Sequence, residues 1–87
     1  MKNKQKPVIY LSWARWRNPE TGWDQESRDE HDSRKMAIGV TKRLMNEYGK
    51  KPCPIRGLCI ESWVEKIDLD PNALSGRIFT MTKDMIN

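Results

Sequence analysis

The sequence predicts a small, mainly α-helical domain of three helices that follows an N-terminal segment rich in tryptophan. Apolar residues recur at intervals of three and four across residues 37–48, which is the period of one helix face. A shorter run with the same period, over residues 60–67, predicts a second helix. The pair Asp70-Pro71 predicts the start of the third helix, because aspartate caps a first turn and proline is tolerated at the first helical position.

The composition is that of one small globular domain. The chain has 87 residues, of which 37% are hydrophobic and 32% charged, and a chain of this size buries only a modest core. Residues 1–7 are lysine-rich and end at Pro7, so we expect a flexible basic tail ahead of a single domain over residues 8–87. No apolar core of a signal peptide follows the basic start, and we therefore expect a cytoplasmic protein.

The net charge of +4 is unevenly distributed along the chain. Residues 18–32 carry six acids against Arg28 alone, whereas residues 33–66 carry eight basic groups and three acids. A basic balance is compatible with binding a polyanion, because neutralised phosphates release their counterions. An excess of this size does not by itself decide for nucleic acid.

The tryptophan-rich segment, residues 8–17, fits two local structures. Its content of Val, Ile, Tyr and Trp favours a strand. The spacing of Ile9, Trp13 and Trp16 favours one face of a short helix that begins after Pro7. The segment leads into a predicted turn over residues 18–22, in which a glycine supplies any positive φ that the turn needs.

The first predicted helix begins between Ser27 and Ser33. Ser27 and Glu30 have the spacing of a capping box, and Asp32 or Ser33 would serve as a later cap. Gly49 is predicted to end the helix in a left-handed conformation. Two prolines then exclude a helix from the following loop.

The second and third helices, residues 60–67 and 71–84, together predict a helix-turn-helix. A short amphipathic helix would lead through a tight turn into a capped helix, with Leu69 filling the angle between the two. Two helices that cross steeply must bury a compact set of side chains. The predicted set is Trp63, Val64, Ile67, Leu69, Leu74 and Ile78.

The run Leu69-Asp70-Pro71-Asn72-Ala73-Leu74-Ser75-Gly76-Arg77-Ile78 resembles the helix-turn-helix of winged-helix regulators. The resemblance covers about residues 33–86 and implies a DNA-binding transcriptional regulator. The sequence departs from the group's pattern in three ways. Asp68 stands where a turn glycine is usual, Val64 stands where alanine is usual, and the chain ends at Asn87, where the wing should begin. The cluster Trp13-Ala14-Arg15-Trp16 is faintly similar to small phage antitermination proteins.

If the third helix entered a major groove, its outward side chains would contact the bases of double-stranded DNA. Arg77 would pair with guanine or a phosphate, and Asn72 with an adenine edge. A homodimer on a repeated half-site is the expected form. The full set of predicted reading residues is Asn72, Ser75, Gly76, Arg77, Thr80 and Lys83. Phosphate contacts are expected from Lys42, Arg43, Lys50, Lys51 and Arg56.

The sequence contains few residues that could support catalysis or metal binding. Cys53, Cys59 and His31 are too few and too far apart for a four-ligand zinc site. We expect the two thiols to be reduced and the histidine to lie at a solvated helix start. There is no phosphate-binding glycine loop, nucleophile elbow or paired-histidine motif, so neither an enzyme nor a cofactor is expected.

The alternative function is a protein-binding module or inhibitor, of phage or mobile-element origin, that acts on a host protein. Three of the four tryptophans lie within eleven residues beside two arginines, and Trp and Arg dominate binding hot spots. This hypothesis uses the segment 8–23. Its expected contact residues are Trp13, Arg15, Trp16, Arg17 and Trp23.

Overall fold

A computed structural model describes residues 8–70 and 72–86 of the chain. Four antiparallel strands form one sheet in the order β2-β1-β3-β4, and a single long helix packs across one face. The elements, in chain order, are β1 (Val8–Arg17), β2 (Asp24–His31), α1 (Arg34–Tyr48), β3 (Leu58–Asp68), β4 (Gly76–Thr82) and a short 3-10 helix (Lys83–Met85). The predicted mainly α-helical class is therefore wrong: strands occupy the places of the second and third helices.

Strand β1 is central, and its two faces have different neighbours. It pairs with β2 on one side and with β3 on the other, so the strand alternative for residues 8–17 is confirmed. Ser12, Ala14 and Trp16 face α1 and are buried. Trp13 and the arginines at alternate positions lie on the opposite face, which no helix or strand of the described residues covers; we call it the open face.

The turn after β1 has the predicted position and chemistry. The Asn18 side-chain oxygen accepts hydrogen bonds from the backbone N–H groups of Glu20 (2.8 Å) and Thr21 (3.2 Å). Gly22 has φ of 76°, the left-handed conformation that glycine adopts at no steric cost. The turn reverses the chain, so the acidic stretch that follows lies against β1.

Strand β2 replaces the predicted early start of the first helix. Its acids lie opposite the arginines of β1, and the pairs Arg15–Glu26 and Arg17–Asp24 close at 3.1 and 2.7 Å. Opposite charges across a ladder favour pairing. The capping-box prediction for Ser27 is therefore wrong, since this residue lies within the strand.

Helix α1 starts at the later of the predicted caps. The Ser33 hydroxyl accepts a hydrogen bond from the backbone N–H of Met36 at 3.3 Å. Gly49 ends the helix as predicted, but with φ of −72°, so the predicted left-handed cap is wrong. Glycine is needed there for space, because a Cβ would collide with the Ile86 side chain and the Met45 carbonyl.

Residues 58–68 form a strand whose two faces both pack against apolar side chains. Val64 is fully buried against the α1 side, whereas Trp63 stacks on Trp13 of the open face with ring centroids 5.8 Å apart. A strand that is buried on both faces lacks a clean alternation and can match a helical spacing by chance. The helix predicted over residues 60–67, with its apolar residues on one side, is therefore wrong.

The predicted start of the third helix is the loop between β3 and β4. The Asp70 carboxylate accepts from the Asn72 backbone N–H at 3.0 Å, and the Ser75 hydroxyl accepts from the Asp68 backbone N–H at 2.9 Å. Asp and Ser side chains that cap helices also stabilise tight turns, which is how they act here. Pro71 lies outside the described residues.

The side chains predicted to fill the helix-turn-helix do not converge. Leu74 is 88% exposed in the loop, and Leu69 is exposed beside it. Ile78 is exposed at a bulge in β4, where the register with β3 shifts. The helix-turn-helix at residues 60–84 is therefore absent from this structure.

The core lies between α1 and the centre of the sheet. It is formed by Ala14, Trp16, Met45, Cys59 and Met81. Both cysteines are free thiols, as predicted. In the part of the chain that the structure describes, no helix combines the length and the apolar character that a membrane crossing requires. The predicted flexible tail, residues 1–7, lies outside the described residues.

Candidate nucleic-acid interface

Three of the four arginines on the open face are bound to neighbouring carboxylates. Arg15 contacts Glu26 at 3.1 Å and Glu61 at 3.5 Å, and Arg77 contacts Glu61 at 3.3 Å. The hydrogen bonds from Arg17 lower the pKa of Asp24 below its ordinary value and hold that carboxylate in its charged form. Three arginines and three carboxylates of this face thus neutralise one another.

Two stacked tryptophans lie at the centre of the open face. The rings of Trp13 and Trp63 are nearly parallel, with an angle of 6° between their planes. Arg77 lies over Trp63 at 4.1 Å from the ring centroid, and Arg28 lies over Trp13 at 5.6 Å. Trp13 Nε1 also donates to Glu65 at 2.9 Å. Arginines and an acid thus cover the aromatic surfaces that a ligand would have to contact.

The charge of the open face does not favour a polyanion. Four arginines lie on it (Arg15, Arg17, Arg28 and Arg77) against five carboxylates (Asp24, Glu26, Glu30, Glu61 and Glu65), which leaves a net charge of −1. A phosphate backbone that approached this face would meet at least as many carboxylates as cations. Nucleic acid is therefore not expected to bind there.

Helix α1 and the loop after it are strongly basic. Between Ser33 and Gly57 the chain carries seven exposed cations and one acid, Glu47. Among the described residues, none of these cations makes an ion pair. The seven, which we call the basic strip, are Arg34, Lys35, Lys42, Arg43, Lys50, Lys51 and Arg56.

The basic strip follows α1 and the loop after it. Lys35 and Arg43 are eight residues apart on the outer line of the helix, with the exposed Gly39 halfway between them. A Cβ at Gly39 would meet nothing within 4 Å, so this part of the helix surface is bare backbone. A helix of 15 residues is about 22 Å long, so the strip is long enough to lie beside several phosphates.

The predicted phosphate contacts and the predicted base contacts have different outcomes. The five phosphate contacts, Lys42, Arg43, Lys50, Lys51 and Arg56, all belong to the basic strip. The six reading residues do not share one helix face. Asn72 and Ser75 lie in the β3–β4 loop, Gly76, Arg77 and Thr80 lie in β4, and Lys83 lies in the 3-10 helix. Of these, Arg77 is bound to Glu61 on the open face.

The predicted protein-contact residues are also divided by the structure. Trp16 is 2% exposed, and its Nε1 donates to the Ser27 hydroxyl at 2.9 Å, so it belongs to the core. Trp13, Arg15 and Arg17 belong to the network of the open face. Only Trp23 is fully presented to solvent, at 78% exposure. The segment does not form one exposed contact surface.

Sequence reasoning missed two members of the basic strip, Arg34 and Lys35. Their signal was available: both lie at the start of a strongly periodic helix and have no acid three or four residues further along. The predicted helix start ranged from Ser27 to Ser33, which left their position in the first turn of α1 undecided. The reactive side chains elsewhere are engaged in the fold. Burial raises the pKa of Cys59 to about 11, and His31 lies 2.9 Å from the Ser12 hydroxyl.

Comparisons with known protein families, with curated proteins and with solved structures found no match for this chain.

Proposed function

We propose that the protein binds nucleic acid, with duplex DNA as the first target, through the basic strip of α1 and the following loop. The observation that carries this proposal is the segregation of charge. Three of the four arginines on the open face are bound to carboxylates and the fourth, Arg28, lies over the Trp13 ring. The seven cations of the basic strip are instead exposed and have no acidic partner among the described residues. Unpaired cations on one side of a domain attract a polyanion.

Binding of this kind gains its free energy from phosphates and counterions rather than from base edges. Each phosphate that a lysine or arginine neutralises releases condensed cations, so affinity falls steeply with salt and depends little on sequence. Gly39 supports a close approach, because the strip has no side chain at its middle. This binding mode differs from that of a helix-turn-helix. The strip lies on one helix and a loop, and it does not contain the pair of supporting and recognition helices.

Replacing Lys42 and Arg43 together with glutamine is expected to weaken duplex binding and to flatten its salt dependence. Each lost phosphate contact reduces the slope of log affinity against log salt concentration by about 0.9, so the pair should reduce it by about 1.8. Both side chains are exposed, so the fold should persist. Fluorescence anisotropy of a labelled duplex across a salt series measures the affinity and the slope.

The matched control replaces Arg17 and Arg28 with glutamine, which removes the same formal charge from the open face. The proposal predicts that the salt slope of this control stays near that of the unmodified protein. Equal losses in the two double variants would mean that net charge alone governs binding. No binding to duplex or single strand at low salt would overturn the proposal itself.

A further inference from the structure

Trp23 is an exposed aromatic side chain on a backbone that is held in place. Its carbonyl accepts from the Asn18 backbone N–H at 2.9 Å, and its own N–H donates to the Thr21 hydroxyl at 3.2 Å. The ring is nevertheless 78% exposed. The hydrogen bonds therefore fix the backbone of Trp23, while its ring does not pack in the core.

Trp23 lies beside the last cation of the basic strip, Arg56. Asp24, the next residue, points to the open face, where it binds Arg17. Side chains alternate along a strand, so Gln25 points to the side that carries α1. Trp23 directly precedes β2 and lines one cleft together with Gln25 and Arg56. The guanidinium of Arg56, the last member of the strip, lies over the ring of Trp16 on this same side, at 5.7 Å from the centroid.

Trp23 forms one wall of a cleft at the end of the strip. The cleft has a volume of about 230 Å³, and Gln25, Ile55 and Arg56 are among the residues that line it. Ile55 is 89% exposed on a loop that is closed by backbone hydrogen bonds of 2.8 and 2.9 Å between Cys53 and Gly57. Two fixed loops thus hold an aromatic and an aliphatic surface beside a cation.

We infer that this cleft binds an unpaired nucleobase, stacked on Trp23, of a strand whose phosphates lie on the basic strip. The inference rests on the proposed function and names its ligand: nucleic acid with a single-stranded segment. Single-strand sites in proteins combine a cationic path for the backbone with an aromatic ring for a base. Here Arg56 lies at the cleft, and Lys50 and Lys51 are exposed cations earlier in the same loop.

The charges around the cleft favour a nucleic acid over an acidic peptide or an apolar partner. The carboxylate of Asp24, which also lines the cleft, is neutralised by Arg17, so the cation of Arg56 dominates. The Gln25 side chain offers both a donor and an acceptor, which suits the edge of a base. An apolar partner would leave Gln25 and Arg56 without partners in the contact.

The test compares two labelled ligands, a blunt duplex and the same duplex with a short single-stranded extension. The unmodified protein should bind the extended ligand more tightly. Trp23→Ala should weaken binding of the extended ligand by about tenfold and leave the blunt duplex unaffected, because stacking on one aromatic ring is lost. Trp23→Phe keeps an aromatic face and should retain most of the preference.

Tryptophan fluorescence gives a second readout. The other three tryptophans are buried or lie under arginines, so the extended ligand should quench the emission of Trp23, and the quenching should disappear in Trp23→Ala. The inference is overturned if the single-stranded extension adds no affinity, or if Trp23→Ala weakens binding of both ligands equally. A blunt duplex that still binds through Lys42 and Arg43 would leave the proposed function standing.

Discussion

Replacing Trp16 with alanine is expected to lower the free energy of unfolding by about 3–5 kcal/mol. The ring is 2% exposed in the core, packs on Tyr48 with centroids 5.6 Å apart, and donates from Nε1 to the Ser27 hydroxyl. Truncation would remove this contact area and leave a cavity between α1 and the sheet. Because small domains have only about 5–15 kcal/mol of stability, much of the total would be lost.

Denaturant unfolding followed by circular dichroism measures this loss, and Trp23→Ala is the matched control. The exposed Trp23 makes no core contact, so its truncation should change the free energy of unfolding by less than about 0.5 kcal/mol. If both variants were equally stable, Trp16 could not be the core residue described here.

Gly57→Ala is expected to destabilise the protein by about 2 kcal/mol or more. Gly57 has φ of 93°, a backbone conformation that costs other residues roughly 1–3 kcal/mol. A Cβ there would also collide with the Arg17 carbonyl. The loop carrying Ile55 and Arg56 would have to move away from the end of β1, and the cleft beside Trp23 would change shape.

Gly22→Ala separates the two causes of this effect. Gly22 has φ of 76°, but a Cβ there would meet nothing within 4 Å, so only the backbone cost of about 1 kcal/mol applies. Thermal or denaturant unfolding of the two variants gives the difference. Losses of the same size would show that the loop does not lie against β1 as closely as described.

The parts of the fold that local sequence signals specify were predictable. The run of periodic apolar residues before Gly49 gave α1 its C-terminal boundary, and the Asn-Pro and Gly22 signals gave the first turn. Strand β2 was not predictable in this way, because it is stabilised by ion pairs with Arg15 and Arg17 of β1. Contacts between residues distant in sequence leave no periodicity in the strand itself.

The two helices predicted over residues 60–67 and 71–84 are wrong because two of the sequence signals have more than one physical cause. Trp63 and Val64 are apolar neighbours in a helix stripe, but in β3 they point to opposite faces, each with its own partner. Asp70 binds a backbone N–H two residues further along, as a helix cap would, yet here it closes a turn. A sheet partner for β3 decided the outcome, and that partner lies at the start of the chain.

The candidate site was partly predictable for a reason unrelated to the fold. Two of the predicted phosphate contacts, Lys42 and Arg43, are charged residues off the apolar stripe, and such residues face solvent in any correct placement of α1. The other three lie in the loop that the two prolines predict, and loops run over the surface. Arg77 was misplaced because its strand neighbours, Glu61 and Trp63, are distant in sequence. Which cations are paired and which are unpaired follows only from the folded structure.

The central claim, that the unpaired cations of the helix side bind nucleic acid, is tested most directly by amide chemical-shift mapping during titration with a DNA duplex at low salt. The account predicts that the perturbed amides cluster in α1 and the following loop, over residues 34–57, and that the shifts reverse when salt is added. Perturbations confined to the open face, around Arg15, Arg28 and Arg77, would contradict it.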